Sequence, residues 1–136
     1  MKKVIFACVH NAGRSQMSAA FFNHFADPSR VRAVSAGTRP AAHVHPEVVA
    51  VMSEAGIDLS AARPQRLTAE LAQDAHLLVT MGCGDECPYV PGLERDDWPL
   101  PDPRGQATSA VREIRDDIRR RVRALLEANG WVRSDA

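Results

Sequence analysis

Apolar residues along the chain are concentrated in short runs that polar segments separate. The first run, residues 4–9, is uninterrupted and ends at a polar loop. Two more runs cover residues 31–36 and 76–81, and residues 97–100 are the candidate for a short fourth. Uninterrupted runs of this length are typical of strands that are buried on both faces of a parallel sheet. The pattern therefore predicts four strands.

The segments between these runs show the spacing of helices. Ser15 is placed to cap a helix that ends near Asp27-Pro28. Pro46 and Gly56 mark the start and the end of a second helix, and residues 67–75 suggest a short third one. The second helix carries an apolar face of Val49, Met52 and Ala55. Each of the first three strands is therefore followed or preceded by a helix.

The last predicted helix has the clearest pattern. Its apolar stripe, at spacings of three and four residues, consists of Val111, Ile114, Ile118, Val122 and Leu125. On the polar side, Asp116 with Arg120 and Asp117 with Arg121 can pair one turn apart. Asn129-Gly130 is a strong helix stop. This alternation of strands and helices predicts a single α/β domain over residues 1–136, with a four-stranded parallel sheet flanked by helices.

Composition narrows the class of protein. The chain has 136 residues, of which 45% are apolar and 25% charged, and this balance argues against disorder. Lys and Arg number 17, as do Asp and Glu, so the formal net charge is zero. The net charge of the chain therefore does not predict binding to nucleic acid or to an acidic membrane. Since the first apolar run is too short for a signal peptide or a membrane span, we expect a cytoplasmic protein.

The three cysteines, Cys8, Cys83 and Cys87, are the first candidates for chemistry. An odd number in a chain expected to be cytoplasmic argues against a structural disulfide framework and favours catalytic or redox thiols. They could instead be small buried hydrophobic residues. Cys83 and Cys87 could also form half of a zinc site, but a structural site needs four ligands and the sequence offers no second pair.

The loop after the first strand combines a thiol with groups that bind anions. Ligands of parallel α/β folds lie beyond the carboxyl ends of the strands, where Cys8 is placed. The loop's N–H groups and the start of the following helix can bind a tetrahedral anion, and Arg14 can hold two of its oxygens. The same field favours the thiolate of Cys8. Asn11 and Gly13 tolerate the positive φ that a tight loop requires.

The segment Cys8-Val9-His10-Asn11-Ala12-Gly13-Arg14-Ser15 resembles the anion loop of low-molecular-weight tyrosine phosphatases and of the related thiol-dependent arsenate reductases. Asp102-Pro103 falls where that superfamily carries its general-acid aspartate. Gln16-Met17 and the segment 81–88 are similar to the reductases. Arg104-Gly105 replaces the aromatic residue that is typical of phosphatases at that place.

The resemblance implies a reaction as well as a fold. Cys8 would attack arsenate, bound by the loop from Cys8 to Ser15, while Asp102 protonates the leaving oxygen. Cys83 would then attack Cys8, Cys87 would attack Cys83, and thioredoxin would reduce the final disulfide. Phosphate and sulfate are expected to mimic the substrate. No cofactor or metal is expected. Ala19 replaces the acidic residue that accompanies potassium in some relatives, so no potassium site is expected either.

The same residues are compatible with other functions. A glutaredoxin-like protein with a small thiol could supply the electrons in place of thioredoxin. A phosphatase would need only Cys8, Arg14 and Asp102. A redox sensor or an arsenic-binding module without turnover would not need Asp102 or an arginine at the start of a helix.

Overall fold

The computed structural model of the protein describes residues 1–81 and 92–134. In these residues, the chain order is β1 (Lys2–Cys8), α1 (Arg14–Phe25), β2 (Val31–Gly37), α2 (Pro46–Glu54), α3 (Ala69–Ala72), β3 (Leu77–Thr80), β4 (Glu94–Asp97) and α4 (Thr108–Asn129). No helix in this part of the chain is both long and apolar enough to cross a membrane.

The strands form one parallel sheet in the order β2-β1-β3-β4, which confirms the predicted four-stranded parallel sheet. β1 pairs with a strand on each side, which explains its uninterrupted apolar sequence. Cys8, its last residue, lies opposite Gly37, the last residue of β2. Because all strands are parallel, their carboxyl ends meet at one edge, and Cys8 lies in the middle of that edge.

Two hydrophobic clusters cover the faces of the sheet. Val4, Phe6 and Cys8 of β1 belong to the larger cluster, which includes buried residues of α1, α2 and α4. Ile5 and Ala7 belong to the smaller cluster on the opposite face, together with residues from the segment around α3. The alternation follows from the two-residue period of a strand, and the larger cluster keeps α1 packed against α4.

The fourth strand differs from the prediction. It is Glu94–Asp97 rather than residues 97–100, and all four of its residues are exposed. Trp98 and Leu100, which produced the apolar signal, are buried just beyond it, and Trp98 packs on Phe6 with ring centroids 5.5 Å apart. β4 is an edge strand that pairs with β3 through its backbone and through a bond between side chains, from Thr80 Oγ1 to Asp97 Oδ1 at 2.7 Å, while its charged residues remain exposed.

The first three helices also differ in detail from the prediction. α1 begins at Arg14 with Gly13 at the N-cap and without a side-chain cap, so the prediction of Ser15 as the cap was wrong. The buried residues of α2 are Val48, Val51 and Met52. Of the predicted face, Met52 is confirmed, whereas Val49 and Ala55 are only partly buried against the core. The predicted third helix is only the four residues of α3.

α4 matches its prediction in extent and differs in detail. It ends at Asn129, and Gly130 follows in the left-handed conformation with φ 69°, as the stop signal predicts. Its buried stripe ends at Leu126 instead of Leu125. Arg121 pairs with Asp117 at 3.2 Å as predicted, whereas Arg120 also pairs with Asp117 and Asp116 pairs with Arg115.

Candidate active site

Hydrogen bonds turn the carbonyl groups of the loop between β1 and α1 outward. The carbonyl oxygens of Cys8, Val9, His10 and Ala12 accept from the N–H groups of Thr38, Arg39, Ala41 and His45, at 2.8–3.3 Å. The carbonyl of Asn11 accepts from the Gln16 side chain at 3.0 Å. None of the N–H groups of residues 9–13 donates to an acceptor in the described part of the chain. With its carbonyls directed outward, the loop directs N–H groups inward, as an anion site requires.

The segment after β2 that supplies these donors was not recognised in the sequence. His45 belongs to this segment, and its backbone N–H is bonded to the Ala12 carbonyl of the loop. Gly37 could have been the signal. A Cβ atom at Gly37 would lie 2.6 Å from the Val9 carbonyl oxygen, so only glycine lets β2 and the loop approach this closely.

Asn11 holds the tightest turn of the loop. Its φ is 51°, which confirms the predicted positive value and falls in the left-handed region that asparagine tolerates. Its side-chain Oδ1 accepts from the backbone N–H of Gln65 at 2.9 Å and from Gln16 at 3.2 Å. Its Nδ2 donates to Ser15 Oγ at 2.7 Å. Since a backbone N–H can only donate, the bond from Gln65 fixes which end of the amide faces Ser15.

This fixed amide determines the role of the Ser15 hydroxyl. Ser15 Oγ lies 2.9 Å from Cys8 Sγ, and both residues are buried. Because Ser15 Oγ already accepts a hydrogen bond from Asn11, its own hydrogen is available for the sulfur of Cys8. A hydroxyl that donates to sulfur stabilises the thiolate more than the thiol. Ser15 therefore does not cap α1 as predicted but is placed to donate a hydrogen bond to the Cys8 sulfur.

Arg14 lies beside the loop at the first position of α1. The residue is buried, and its Nη1 donates to the carbonyl of Leu100 at 2.9 Å. Its Nη2 is 4.0 Å from Asp102 Oδ2. Anchored on one edge, the planar guanidinium has its remaining donors held in a fixed orientation, and Arg14 itself lies at the positive end of the α1 dipole.

Asp102 is held in a compact turn at the mouth of the site. Its Oδ1 accepts from the N–H of Arg104 at 3.0 Å, which leaves Oδ2 facing Arg14. The turn is closed by the bond from Gln106 N–H to the Pro103 carbonyl at 3.1 Å, with Gly105 at φ 71°. Asp102 is 48% exposed, so it can exchange protons with solvent. A carboxyl group at this place can deliver a proton to a leaving group in the loop.

The structure thus brings Cys8, Arg14, Ser15 and Asp102 together as predicted, but Gly13 differs. Its φ is −142°, so the predicted use of a positive φ at this residue was wrong. Cys83 and Cys87 lie outside the described residues, and their roles stay predictions. Within residues 1–81 and 92–134, no group of three or more His, Cys, Asp or Glu residues is arranged to hold a metal ion.

Comparison with known sequences identifies the kind of protein that carries such a site. Residues 3–131 match the profile of the family described as low molecular weight phosphotyrosine protein phosphatase. The chain is 43% identical over 126 residues to a Halobacterium salinarum protein named provisionally as an arsenate reductase, covering 90% of this chain and 89% of that one. It is 33% identical over 129 residues to the glutaredoxin arsenate reductase of Synechocystis sp., covering 93% and 97%.

The fold also matches solved structures of arsenate reductases. The fold matches a thioredoxin-dependent arsenate reductase from Corynebacterium glutamicum with a TM-score of 0.81 and 41% identity, over 94% of this chain and 61% of that chain. The chain therefore spans less than two thirds of that protein. It also matches an arsenate reductase in a phosphate-binding state, with a TM-score of 0.79 and 31% identity over 94% of this chain and 98% of that one.

Proposed function

Because this chain belongs to the low-molecular-weight phosphotyrosine protein phosphatase family, we propose that it is an arsenate reductase whose nucleophile is Cys8. One observation carries the proposal: a loop with outward carbonyls begins at a buried thiol, Cys8, and ends at the anchored guanidinium of Arg14. Relatives at 33–43% identity over most of the chain are named as arsenate reductases. Arsenate is tetrahedral and anionic, as this loop requires.

In the first step, the Cys8 thiolate attacks arsenic while the inward N–H groups of the loop and Arg14 hold the arsenate oxygens. A sulfur–arsenic bond forms, and one arsenic–oxygen bond breaks. Asp102 supplies the proton with which that oxygen leaves as water. The oxidation state of arsenic does not change in this step, so the loop alone cannot complete the reduction.

The reduction itself requires a second thiol, and we assign Cys83 to it. The Cys83 thiolate attacks Cys8 Sγ, and the electron pair of the sulfur–arsenic bond stays on arsenic, which leaves as arsenite. The two sulfurs, now one disulfide, have lost the two electrons that arsenic gained. Cys87 then attacks Cys83, releases Cys8 as a thiol and leaves a Cys83–Cys87 disulfide.

The electron donor that reduces this disulfide is proposed to be thioredoxin. A dithiol can attack the Cys83–Cys87 bond and take over the disulfide in two exchange steps. Relatives are named for both thioredoxin and glutaredoxin, so a glutaredoxin-like donor with a small thiol is the alternative. Arsenite formation should be measured with thioredoxin and thioredoxin reductase, beside a small thiol with glutaredoxin. Faster turnover with glutaredoxin would reject thioredoxin as the donor.

Phosphatase activity is the second candidate, since the family profile describes phosphotyrosine phosphatases. Cys8, Arg14 and Asp102 would suffice for that reaction, whereas Cys83 and Cys87 would not be needed. Arsenate reduction and hydrolysis of an aryl phosphate should therefore be compared in the wild type and in Cys83→Ser. A Cys83→Ser protein that keeps its main activity would favour the phosphatase.

The relay itself is tested with Cys87→Ser. After one turnover with arsenate, this variant should accumulate a Cys8–Cys83 disulfide, because the thiol that would release it is missing. Peptide mapping under non-reducing conditions detects the bridge. If Cys87→Ser forms arsenite without this bridge, an external thiol attacks Cys8 directly and the internal relay is wrong.

A further inference from the structure

Pro103 is buried in a loop that is otherwise exposed. Residues 101–107, which lead to α4, are all described, and every one of them except Pro103 is exposed. A single buried residue in such a loop determines where the loop rests. Pro103 directly follows Asp102, whose Oδ1 is bonded to Arg104 across it. The position of the Asp102 carboxyl group therefore depends on where the Pro103 ring packs.

The ring packs on Gly13, at the end of the anion loop. A Cβ atom at Gly13 would lie 2.7 Å from Pro103 Cγ and 3.4 Å from Pro103 Cδ. The first distance is shorter than carbon atoms tolerate, and a ring atom cannot turn aside as the end of a flexible side chain can. Residue 13 is therefore glycine because the Pro103 ring approaches its backbone closely. The reason that the sequence suggested, a positive φ, does not apply.

We propose that Gly13 and Pro103 are positioning residues, which place the Asp102 carboxyl group over the anion loop through their direct contact. The inference rests on the proposed role of Asp102 as proton donor. With the ring in place, Asp102 Oδ2 is 4.0 Å from Arg14 Nη2. A side chain at residue 13 displaces the ring, and the exposed turn moves with it. Leu100 is buried and bonded to Arg14, so the base of the loop stays in place.

The proposal predicts a loss of the chemical step with little loss of anion binding. In Gly13→Ala, the single-turnover rate of arsenite formation should fall roughly 30-fold or more, because a positioned general acid contributes about 10²–10⁴-fold. Phosphate affinity should change less than about threefold, since the inward N–H groups and Arg14 remain. Phosphate affinity is measured as the protection of Cys8 from iodoacetamide. A Gly13→Ala protein that keeps the wild-type rate overturns the proposal.

A second substitution tests the contact itself. In Gly13→Ala/Pro103→Ala the ring atom that the new Cβ would strike is gone, and the new Cβ fills part of the space that the ring leaves. The two residues can therefore touch again, unlike in a variant that only removes the ring, and the rate should recover at least tenfold from the single variant. Gly13→Ala/Pro101→Ala is the matched control, because Pro101 lies in the same loop and is not among the atoms nearest to Gly13. If the rate recovers in neither double variant, the loss comes from a change inside the anion loop. If it recovers in both, the loss comes from the stiffness of the loop around Pro103. Either result overturns the proposal.

Two further measurements keep the test independent of folding and of the assigned reaction. If Gly13→Ala does not fold, Pro103→Gly removes the ring and leaves the anion loop intact. This variant should have a lower rate and an unchanged phosphate affinity, and an unchanged rate rejects the proposal.

A crystal structure of Gly13→Ala should show Asp102 Oδ2 clearly beyond 4.0 Å from Arg14 Nη2, and an unchanged distance rejects the proposal. A wild type without arsenate reduction would reject the proposed function but would leave this structural result valid.

Discussion

At the scale of single residues, Asn11 connects the backbone of the anion loop to the Ser15 hydroxyl, which lies 2.9 Å from the Cys8 sulfur. Its left-handed conformation could be predicted, because asparagine in a loop between a strand and a helix is a local signal. Its bond with the Gln65 backbone could not, because that partner is 54 residues away and is brought close only by the fold. The role of Ser15 depends on this bond, which is why the sequence suggested a cap instead.

Ser15→Ala should make Cys8 less reactive. A hydrogen bond to a charged group contributes about 1.5–3 kcal/mol, so its loss should slow alkylation of Cys8 at neutral pH roughly tenfold or more. The rate of iodoacetamide reaction measures this in a Cys83→Ser/Cys87→Ser background, where Cys8 is the remaining cysteine. Ser18→Ala is the control, because Ser18 is also buried in α1 but bonds to Arg14 O and Met81 Sδ. Equal rates in Ser15→Ala and Ser18→Ala would contradict the assigned role.

Arg14→Lys should lose most of the arsenate turnover while the protein remains folded. An ammonium group cannot bond Leu100 on one edge and still offer a planar pair of donors to the anion. We expect kcat/KM to fall roughly 100-fold, which corresponds to about 2.7 kcal/mol of lost transition-state binding. Arg104→Lys should stay within about threefold of the wild type, since Arg104 contributes its backbone N–H to the site. Unchanged turnover in Arg14→Lys would refute the role of Arg14.

At the scale of elements, local patterns located the helices and strands but not all of their boundaries. The apolar signal near residues 97–100 was real, since Trp98 and Leu100 are buried, yet the paired strand precedes it. Strand pairing is set by the neighbouring strand, and an edge strand need not be apolar. In α2 the buried face begins at Val48, one residue before the predicted position, because packing between elements decides which of several apolar residues face inward.

The end of α4 gives a direct test of this packing. Leu126 is fully buried, whereas Leu125 is only partly buried, although the sequence favoured Leu125. Leu126→Ala should therefore cost about 2–5 kcal/mol of unfolding free energy, and Leu125→Ala roughly 1 kcal/mol. Urea denaturation of the two variants, which differ from the wild type by the same atoms, measures both values. Equal losses would mean that the helix face at this end is assigned wrongly.

At the scale of the whole molecule, the candidate site is assembled at one edge of the sheet from segments far apart in sequence. The thiol and Arg14 come from the loop after β1, whose placement between a strand and a helix made it predictable. The donors from residues 38–45 and the loop around Pro103 carry no comparable local signal. Their contribution depends on long-range contacts that only the folded chain defines.

An ion pair between Glu54 and two arginines joins α2 to α4 and contributes to the stability of the whole molecule. Glu54 accepts from Arg112 at 2.7 and 2.9 Å and from Arg115 at 3.0 Å. Arg115 Nη1 donates in addition to the Val51 carbonyl, so it is tied to α2 twice. The hydrogen bond from Arg112, with Arg115 assisting, lowers the pKa of Glu54 from 4.5 to about 2. The two helices are thus held together partly by a group that titrates in acid.

Glu54→Gln should therefore be less stable than the wild type near neutral pH, and the difference should vanish in acid. The folded pKa lies below the unfolded one, so the contribution of Glu54 is complete above pH 4.5 and is lost as the pH falls towards 2. Urea unfolding midpoints of both proteins between pH 7 and pH 2 measure the difference. Glu113→Gln is the matched control, because Glu113 lies on the same helix as Arg112, is exposed, and has no ion pair among the described residues. A Glu54→Gln difference that persists unchanged at pH 2, or that Glu113→Gln reproduces, would show that the charge of Glu54 does not connect the helices.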